Sequence, residues 1–219
     1  MSRKRVAILI SGRGSNMAAL IEAAKDKSFP AEIVLVLSSR PDAGGLSFAS
    51  AAGIATVVID HKTYGKDRVS FDRAMQAVLE QNRIELLCLA GFMRLLTTPF
   101  VRHWEGRMIN IHPALLPAFK GLDTHQRALD AGAKLHGATV HFVVPEMDAG
   151  PIIMQGAVAV RSDDNAQTLA ARVLAVEHQI YPQALKLVAE GRVRIVNGRC
   201  LIDGMPVPDA AQLVPAIPP

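Results

Sequence analysis

Apolar and polar positions in the first half of the chain follow two rhythms. Nearly uninterrupted apolar runs, VAILI at 6–10, IVLVL at 33–37, ATVVI at 55–59 and ELLCLA at 85–90, predict short strands buried on both faces. Between them, segments 16–26, 44–52 and 67–82 read as helices, and in the last Val69, Ala74, Ala77 and Val78 fall roughly on one face. Strand and helix in strict alternation predict an α/β fold: a doubly wound, mostly parallel sheet flanked by helices, with right-handed crossovers.

The pattern continues beyond residue 100. RMINI at 107–111 predicts a fifth strand that stops at His112-Pro113, because proline cannot donate within a central strand. A loop containing Pro, Gly and Phe follows, then a short helix near 123–133 and strands at 138–143 and 151–160. The last long helix is expected to begin at Asp164, with Gln167 in a capping-box position and Leu169, Val173, Val176 and Ile180 as its buried stripe. Pro182 removes the donor that the His178 carbonyl would use, so a bend is expected there. VRIV-NG-RCLI at 193–202 is a hairpin signal, with Asn197-Gly198 suited to a type I′ turn. Neither repeats nor a linker interrupt the chain. The expected organisation is one domain over 1–219, with a first half to about 100, a second from about 101 to 205, and a loosely held tail at 206–219.

Composition narrows the class. Of 219 residues, 50% are apolar, which is enough for a sizeable core and argues against disorder. The excess of 24 Lys and Arg over 20 Asp and Glu is small and spread out. Only Arg3, Lys4 and Arg5 cluster, so no nucleic-acid partner is expected. The basic start followed by an apolar run imitates a signal peptide, but the run ends at Ser11-Gly12 and is too short for one. No stretch approaches the roughly 20 apolar residues of a membrane span, so no membrane partner is expected. Two cysteines, Cys88 and Cys200, without a CxxC pair, suggest a reducing, cytoplasmic setting. Monomer and homodimer are both compatible with the chain.

Two regions carry candidate chemistry. The first strand feeds into SGRGSN and then a helix, where Gly12 and Gly14 permit unusual backbone angles, Ser15 or Asn16 can cap the helix, and free N–H groups make an anion site. A bare βα turn and a degenerate dinucleotide fingerprint, G-x-G-x-x-M, are the alternatives. A single phosphate is the simpler fit. In the second region, Asn110 and His112 alternate at the end of a strand and point the same way. Asp148 lies in a Gly- and Pro-flanked turn free to reach toward them. A carboxylate beside an imidazole orients it and favours its charged form. Each of the three also has a structural explanation, as a loop, turn or cap residue. His61, His103, His125, His136 and His141 lack metal-ligand spacing and read as structural or supporting; no metal site is expected.

Taken together, SGRGSN, AGFMRLL at 90–96, NIHPALLPAFKG at 110–121, HGATVHFV at 136–143 and MDAGPII at 147–153 resemble the phosphoribosylglycinamide formyltransferases over about residues 5–203. The resemblance implies a formyltransferase-type Rossmann-like fold and formyl transfer from 10-formyltetrahydrofolate, acting as co-substrate, to the amine of glycinamide ribonucleotide in purine synthesis. It implies that Asn110, His112 and Asp148 are catalytic. Gly14, Ser15, Asn16 and Glu177 would bind the ribonucleotide. Arg68, Met93, Arg94, Leu95, Leu96 and Asn110 would bind the folate, with Val144, Pro145, Glu146, Met147 and Asp148 closing its pocket. The phosphate thus belongs to the first half of the chain and the folate chemistry to the second. Relatives with an added N-terminal regulatory domain or a C-terminal RNA-binding barrel fit this chain less well. One departure is Ala149, where many members carry glycine after the aspartate; it is expected to alter the turn slightly.

Overall fold

The computed structural model describes residues 2–204 and Val214; the predicted loose tail, Val214 apart, lies outside the described residues. Seven strands form one sheet: β1 (Lys4–Ile10), β2 (Ala31–Ser38), β3 (Ala55–Val58), β4 (Leu86–Leu89), β5 (Met108–His112), β6 (Leu135–Phe142) and β7 (Ile152–Ala159). Their order is β3-β2-β1-β4-β5-β6-β7. The first five run parallel, and β6 is antiparallel to both β5 and β7, so β7 returns to the direction of the first five. The order reverses between β1 and β4, and the crevice at such a switch point is where ligands bind in sheets of this kind.

The sheet is covered on both faces. Val6, Ile8 and Ile10 of β1 face a core shared with α1 (Ser15–Ala24), α2 (Gly45–Ala51) and α6 (Ala166–Ala189). The alternate residues Ala7 and Leu9 face a second core with α3 (Arg68–Gln81), α4 (Thr98–His103) and Trp104. This two-sided burial explains the unbroken apolar runs of the central strands. Strand β3 departs from expectation: ATVV is largely exposed. It is one of the two edge strands, so it has a neighbour on one side only.

Local chemistry moves several predicted details. The buried stripe of α3 is Phe71, Met75 and Leu79, spaced by four, whereas Val69 is exposed. Of the expected face, Ala74 and Val78 pack half-buried beside this stripe, while Ala77 is exposed like Val69. Helix α3 is capped by Asp67, whose carboxylate accepts the Ser70 N–H at 3.0 Å. The capping box of α6 is formed by Asn165 and Thr168, not by Asp164 and Gln167. Asp164 instead forms an ion pair with Arg172 and accepts the Arg161 N–H at 2.8 Å. Helix α6 runs on through Pro182, which is buried, and the adjacent Tyr181 hydroxyl donates to the carbonyls of Leu89 and Ile109 at 2.9 and 3.2 Å. Short helix α4, which the hydrophobic pattern did not mark, begins at Thr97-Thr98-Pro99, a start suited to proline. Helix α5 (Thr124–Asp130) and the hairpin of β8 (Val193–Val196) and β9 (Arg199–Ile202) fall where expected. In the hairpin turn Asn197 and Gly198 both have positive φ, 49° and 74°, as a type I′ turn requires.

The basic start is structural. Arg3 spreads its guanidinium over the carbonyls of Ala24, Phe29 and Ala31 at the end of α1 and the start of β2. Lys4 pairs with Glu85 at 2.7 Å, and Arg5 donates to the Asn82 carbonyl. No helix among the described residues is long and apolar enough to cross a membrane.

Candidate active site

Register across the sheet assembles the site. Leu9, Leu89 and Asn110 stand side by side on β1, β4 and β5. Two residues further along each strand direction come Ser11, Gly91 and His112, where the strands give way to loops. On the other side of β5, Asn110 faces His141 and His112 faces Thr139 on β6.

Asp148 meets His112 directly and is joined to Asn110 through His141. The Nδ1 of His112 lies 3.5 Å from Asp148 Oδ2. Its Nε2 donates to the Phe119 carbonyl at 2.9 Å. The ring is 5% exposed, so its polar contacts come from protein and not from bulk water. Asp148 sits at φ 50°, and its Oδ2 accepts the Gly121 N–H at 2.9 Å. The strained turn is thus held by the group that orients the histidine. The return of the chain depends on Gly150: a Cβ there would lie 1.8 Å from the Phe142 carbonyl oxygen. Ala149 has no such demand; it is exposed and is not among the positive-φ residues. The expected alteration at Ala149 is therefore small, because the left-handed position is filled by Asp148 itself.

His141 belongs to the group, and the sequence reading gave it only a supporting part. Its Nδ1 donates to the Phe142 carbonyl at 2.9 Å, so the neutral ring presents Nε2 as acceptor to the Asn110 amide at 3.2 Å. Asp148 Oδ1 is 3.8 Å from the same nitrogen. Burial holds the pKa of His141 below the usual histidine range, against the pull of the Phe142 carbonyl and Asp148. The alternation of Thr139 and His141 in ATVHFV was the available signal; the antiparallel pairing of β5 with β6 was not. His125 and His136 form a second layer, with Nδ1 and Nε2 3.2 Å apart. Burial is the main cause that pulls His136 down to about 4, with His125 adding repulsion. Burial also lowers His125, with His112 adding to it. Among the described residues no group of three or more His, Cys, Asp or Glu side chains converges as a metal site would.

The loop after β1 forms a cradle. Gly14, at φ 75°, is the N-cap of α1, so neither Ser15 nor Asn16 supplies a side-chain cap. A Cβ on Gly14 would stand 3.0 Å from both Gly45 Cα and Met17 Cε. Asn16 instead donates to Glu177 Oε2 at 2.6 Å, joining two of the expected ribonucleotide contacts from opposite ends of the chain. Glu177 is buried, and its carboxyl pKa is pushed up by burial and partly restored by Asn16. The Oδ1 of Asn16 is buried without a partner. Ser15 is exposed at the mouth of the cradle.

The remaining predicted positions lie on two further segments and at Arg68. After β4, Met93 and Leu95 are exposed, while Arg94 and Leu96 are half-buried. After β6, Val144, Pro145 and Glu146 line a cleft of about 270 Å³ with Val101, Arg102 and Glu105 of the α4 region. Met147 is exposed beside Gly121. Arg68 is exposed at the start of α3, and its side chain makes no hydrogen bond or ion pair among the described residues; its charge acts on Asp72, one turn along.

A doubly wound sheet with an imidazole and a carboxylate paired where β5 ends, near its switch point, defines the class as an α/β fold with a ligand crevice. The chain belongs to the formyl transferase family, whose sequence profile matches residues 4–185. It is 40% identical over 203 residues to the phosphoribosylglycinamide formyltransferase of Escherichia coli, covering 93% of this chain and 95% of that one. It is 52% identical over 198 residues to the trifunctional purine biosynthetic protein adenosine-3 of Bos taurus, covering 90% of this chain. The chain spans only 20% of the length of that trifunctional relative. The crystal structure of glycinamide ribonucleotide transformylase 1 from Symbiobacterium toebii superposes with a TM-score of 0.88 at 42% identity, covering 91% of this chain and 94% of the other.

Proposed function

We propose that this chain transfers the formyl group of 10-formyltetrahydrofolate to the amine of glycinamide ribonucleotide, giving N-formylglycinamide ribonucleotide and tetrahydrofolate in purine synthesis. The observation that carries the reading is the His112–Asp148 pair, joined to Asn110 through His141, in a chain that matches a bacterial phosphoribosylglycinamide formyltransferase over 93% of its length.

The amine nitrogen of the acceptor attacks the formyl carbon. A C–N bond forms, and negative charge gathers on the formyl oxygen. Asn110 and protonated His112 are the donors for that oxygen, which takes the place now held by the Phe119 carbonyl at Nε2. The Asp148 carboxylate compensates the imidazolium and accepts, through water, the proton lost by the attacking amine. The bond from the formyl carbon to the folate nitrogen then breaks, and that nitrogen takes up the proton. Donors that meet the oxyanion more strongly than the ground-state carbonyl speed the step rather than merely bind.

Both halves of the chain contribute to each substrate role. Gly14, Ser15 and Asn16 offer backbone and side-chain donors to the phosphate, and Glu177, already engaged with Asn16, is the partner for the ribose hydroxyls. Segments 93–96 and 144–148 flank the folate ring, and Arg68 is available to the donor's carboxylate tail. The two free cysteines support a cytoplasmic setting.

The test is incubation with 10-formyltetrahydrofolate with and without glycinamide ribonucleotide. Product only in the presence of the ribonucleotide supports the reading. Equal release of formate without it would make the protein a hydrolase, and binding without turnover would make it a sensor.

A further inference from the structure

Ser11 stands at the root of the phosphate loop and hydrogen-bonds the folate-binding segment. It follows β1 directly and precedes the cradle, yet its polar atoms turn across the switch point. Its N–H donates to the Gly91 carbonyl at 3.1 Å, and its Oγ accepts the Met93 N–H at 2.9 Å. The same Oγ shares a proton with Ser39 Oγ at 2.7 Å. Ser11 is 6% exposed and Ser39 is fully buried, so water does not replace these bonds. Ser39 is itself fixed: its carbonyl accepts His61 N–H at 3.1 Å and faces His61 Nδ1 at 2.8 Å.

Segment 93–96 needs such an anchor. The side chains of Met93 and Leu95 point into solvent at 68% and 64% exposure and cannot hold the backbone by burial. Its far end is secured by the Thr97 N–H, which donates to Asp72 at 2.7 Å, and its near end by Phe92 stacked on Phe71. Ser11 supplies the tie between them on the side of the phosphate cradle. The cradle, by contrast, has bonds of its own: Gly45 N–H to the Gly12 carbonyl at 3.1 Å and Ala18 N–H to the Gly14 carbonyl at 2.9 Å.

We propose that Ser11 is a positioning residue that sets the folate-binding segment against the phosphate cradle. The inference rests on the substrate assignment under Proposed function. Removing the hydroxyl frees the Met93 N–H and leaves the cradle's bonds intact, so the loss falls on the donor side. For Ser11→Ala the KM for 10-formyltetrahydrofolate rises on the order of threefold to tenfold, the effect of one lost hydrogen bond, and kcat falls with it. The KM for the ribonucleotide stays within about twofold. Ser39→Ala keeps the Met93 bond and shifts the folate KM by less than about twofold.

The experiment measures both KM values, kcat and Tm for wild type, Ser11→Ala, Ser39→Ala and the double variant. The double variant removes both hydroxyls at once and leaves no orphaned Ser39 hydroxyl, so it holds its Tm better than Ser11→Ala while keeping the raised folate KM. A wild type without turnover on the ribonucleotide would overturn the substrate assignment itself. An active wild type with an unchanged folate KM in Ser11→Ala and the double variant would overturn the role of Ser11 alone. So would equal rises in both KM values, or a double variant that fails to fold, since each would make the hydroxyl pair a stability element.

Discussion

Replacing Asp148 by asparagine is the sharpest probe of the mechanism, because shape is kept and charge is not. The Asp148 Oδ2 accepts the Gly121 N–H at 2.9 Å and lies 3.5 Å from His112 Nδ1. An asparagine carbonyl can keep the Gly121 bond. Its amide then takes the place of Oδ1, 3.8 Å from the acceptor nitrogen of His141, where a donor is tolerated. The fold therefore loses no more than about 1 kcal/mol, the net worth of one hydrogen bond. Catalysis loses the compensating charge on the imidazolium and the proton acceptor together. General acid–base contributions of roughly 10² to 10⁴ correspond to about 2.7 to 5.4 kcal/mol of barrier at 1.36 kcal/mol per tenfold. Steady-state rates followed by the absorbance change of the folate, with Tm measured on the same sample, give the comparison. A variant with unchanged Tm and kcat within tenfold of wild type would show that the carboxylate charge is not used.

Three further outcomes are expected. His112→Ala removes one oxyanion donor and lowers kcat by about 10² to 10³; a loss confined to KM would argue for binding alone. Gly156→Ala drives a Cβ to 2.2 Å from Val176 Cγ1 where β7 packs on α6. Overpacking of about 1–3 kcal/mol, at roughly 2–4 °C each, lowers Tm by on the order of 2–12 °C, and a melting curve identical to wild type would mean that α6 shifts freely. The third concerns acid. His125, His136 and His141 have folded-state pKa values below the usual 6.5, His136 at about 4. The unfolded chain therefore binds more protons in this window, and stability present above pH 6.5 is lost as pH falls toward about 4. Tm measured from pH 8 to 4 shows the decline, and His136→Gln flattens it; equal slopes would remove His136 from the account.

The sequence was most legible where one physical signal dominates. The central strands were marked by their unbroken apolar runs, and the hairpin by Asn197-Gly198, because a buried strand and a positive-φ pair each admit few residue types. Position on the sheet was less legible: ATVV carries the same signal as its neighbours, and only topology makes it an edge. Which side chain caps α6 was decided by competition, since Arg172 claims Asp164 and leaves the cap to Asn165. At the site, Asn110 and His112 were readable from alternation on one strand. His141 was not, because its place opposite Asn110 depends on a pairing between strands separated by a loop and a helix. The resemblance pointed to Asp148, but its contact with His112 depends on a chain reversal at Gly150 that spacing does not encode.

The first residues illustrate how a surface pattern can mislead about use. Arg3, Lys4 and Arg5 resemble a detachable leader, yet each already holds a partner: three carbonyls, a carboxylate and a helix end. Trimming them to shorten the protein would unfasten the junction of α1 and β2 and the entry to β4 in one cut. A purification tag at that end has to leave the guanidinium of residue 3 its seat.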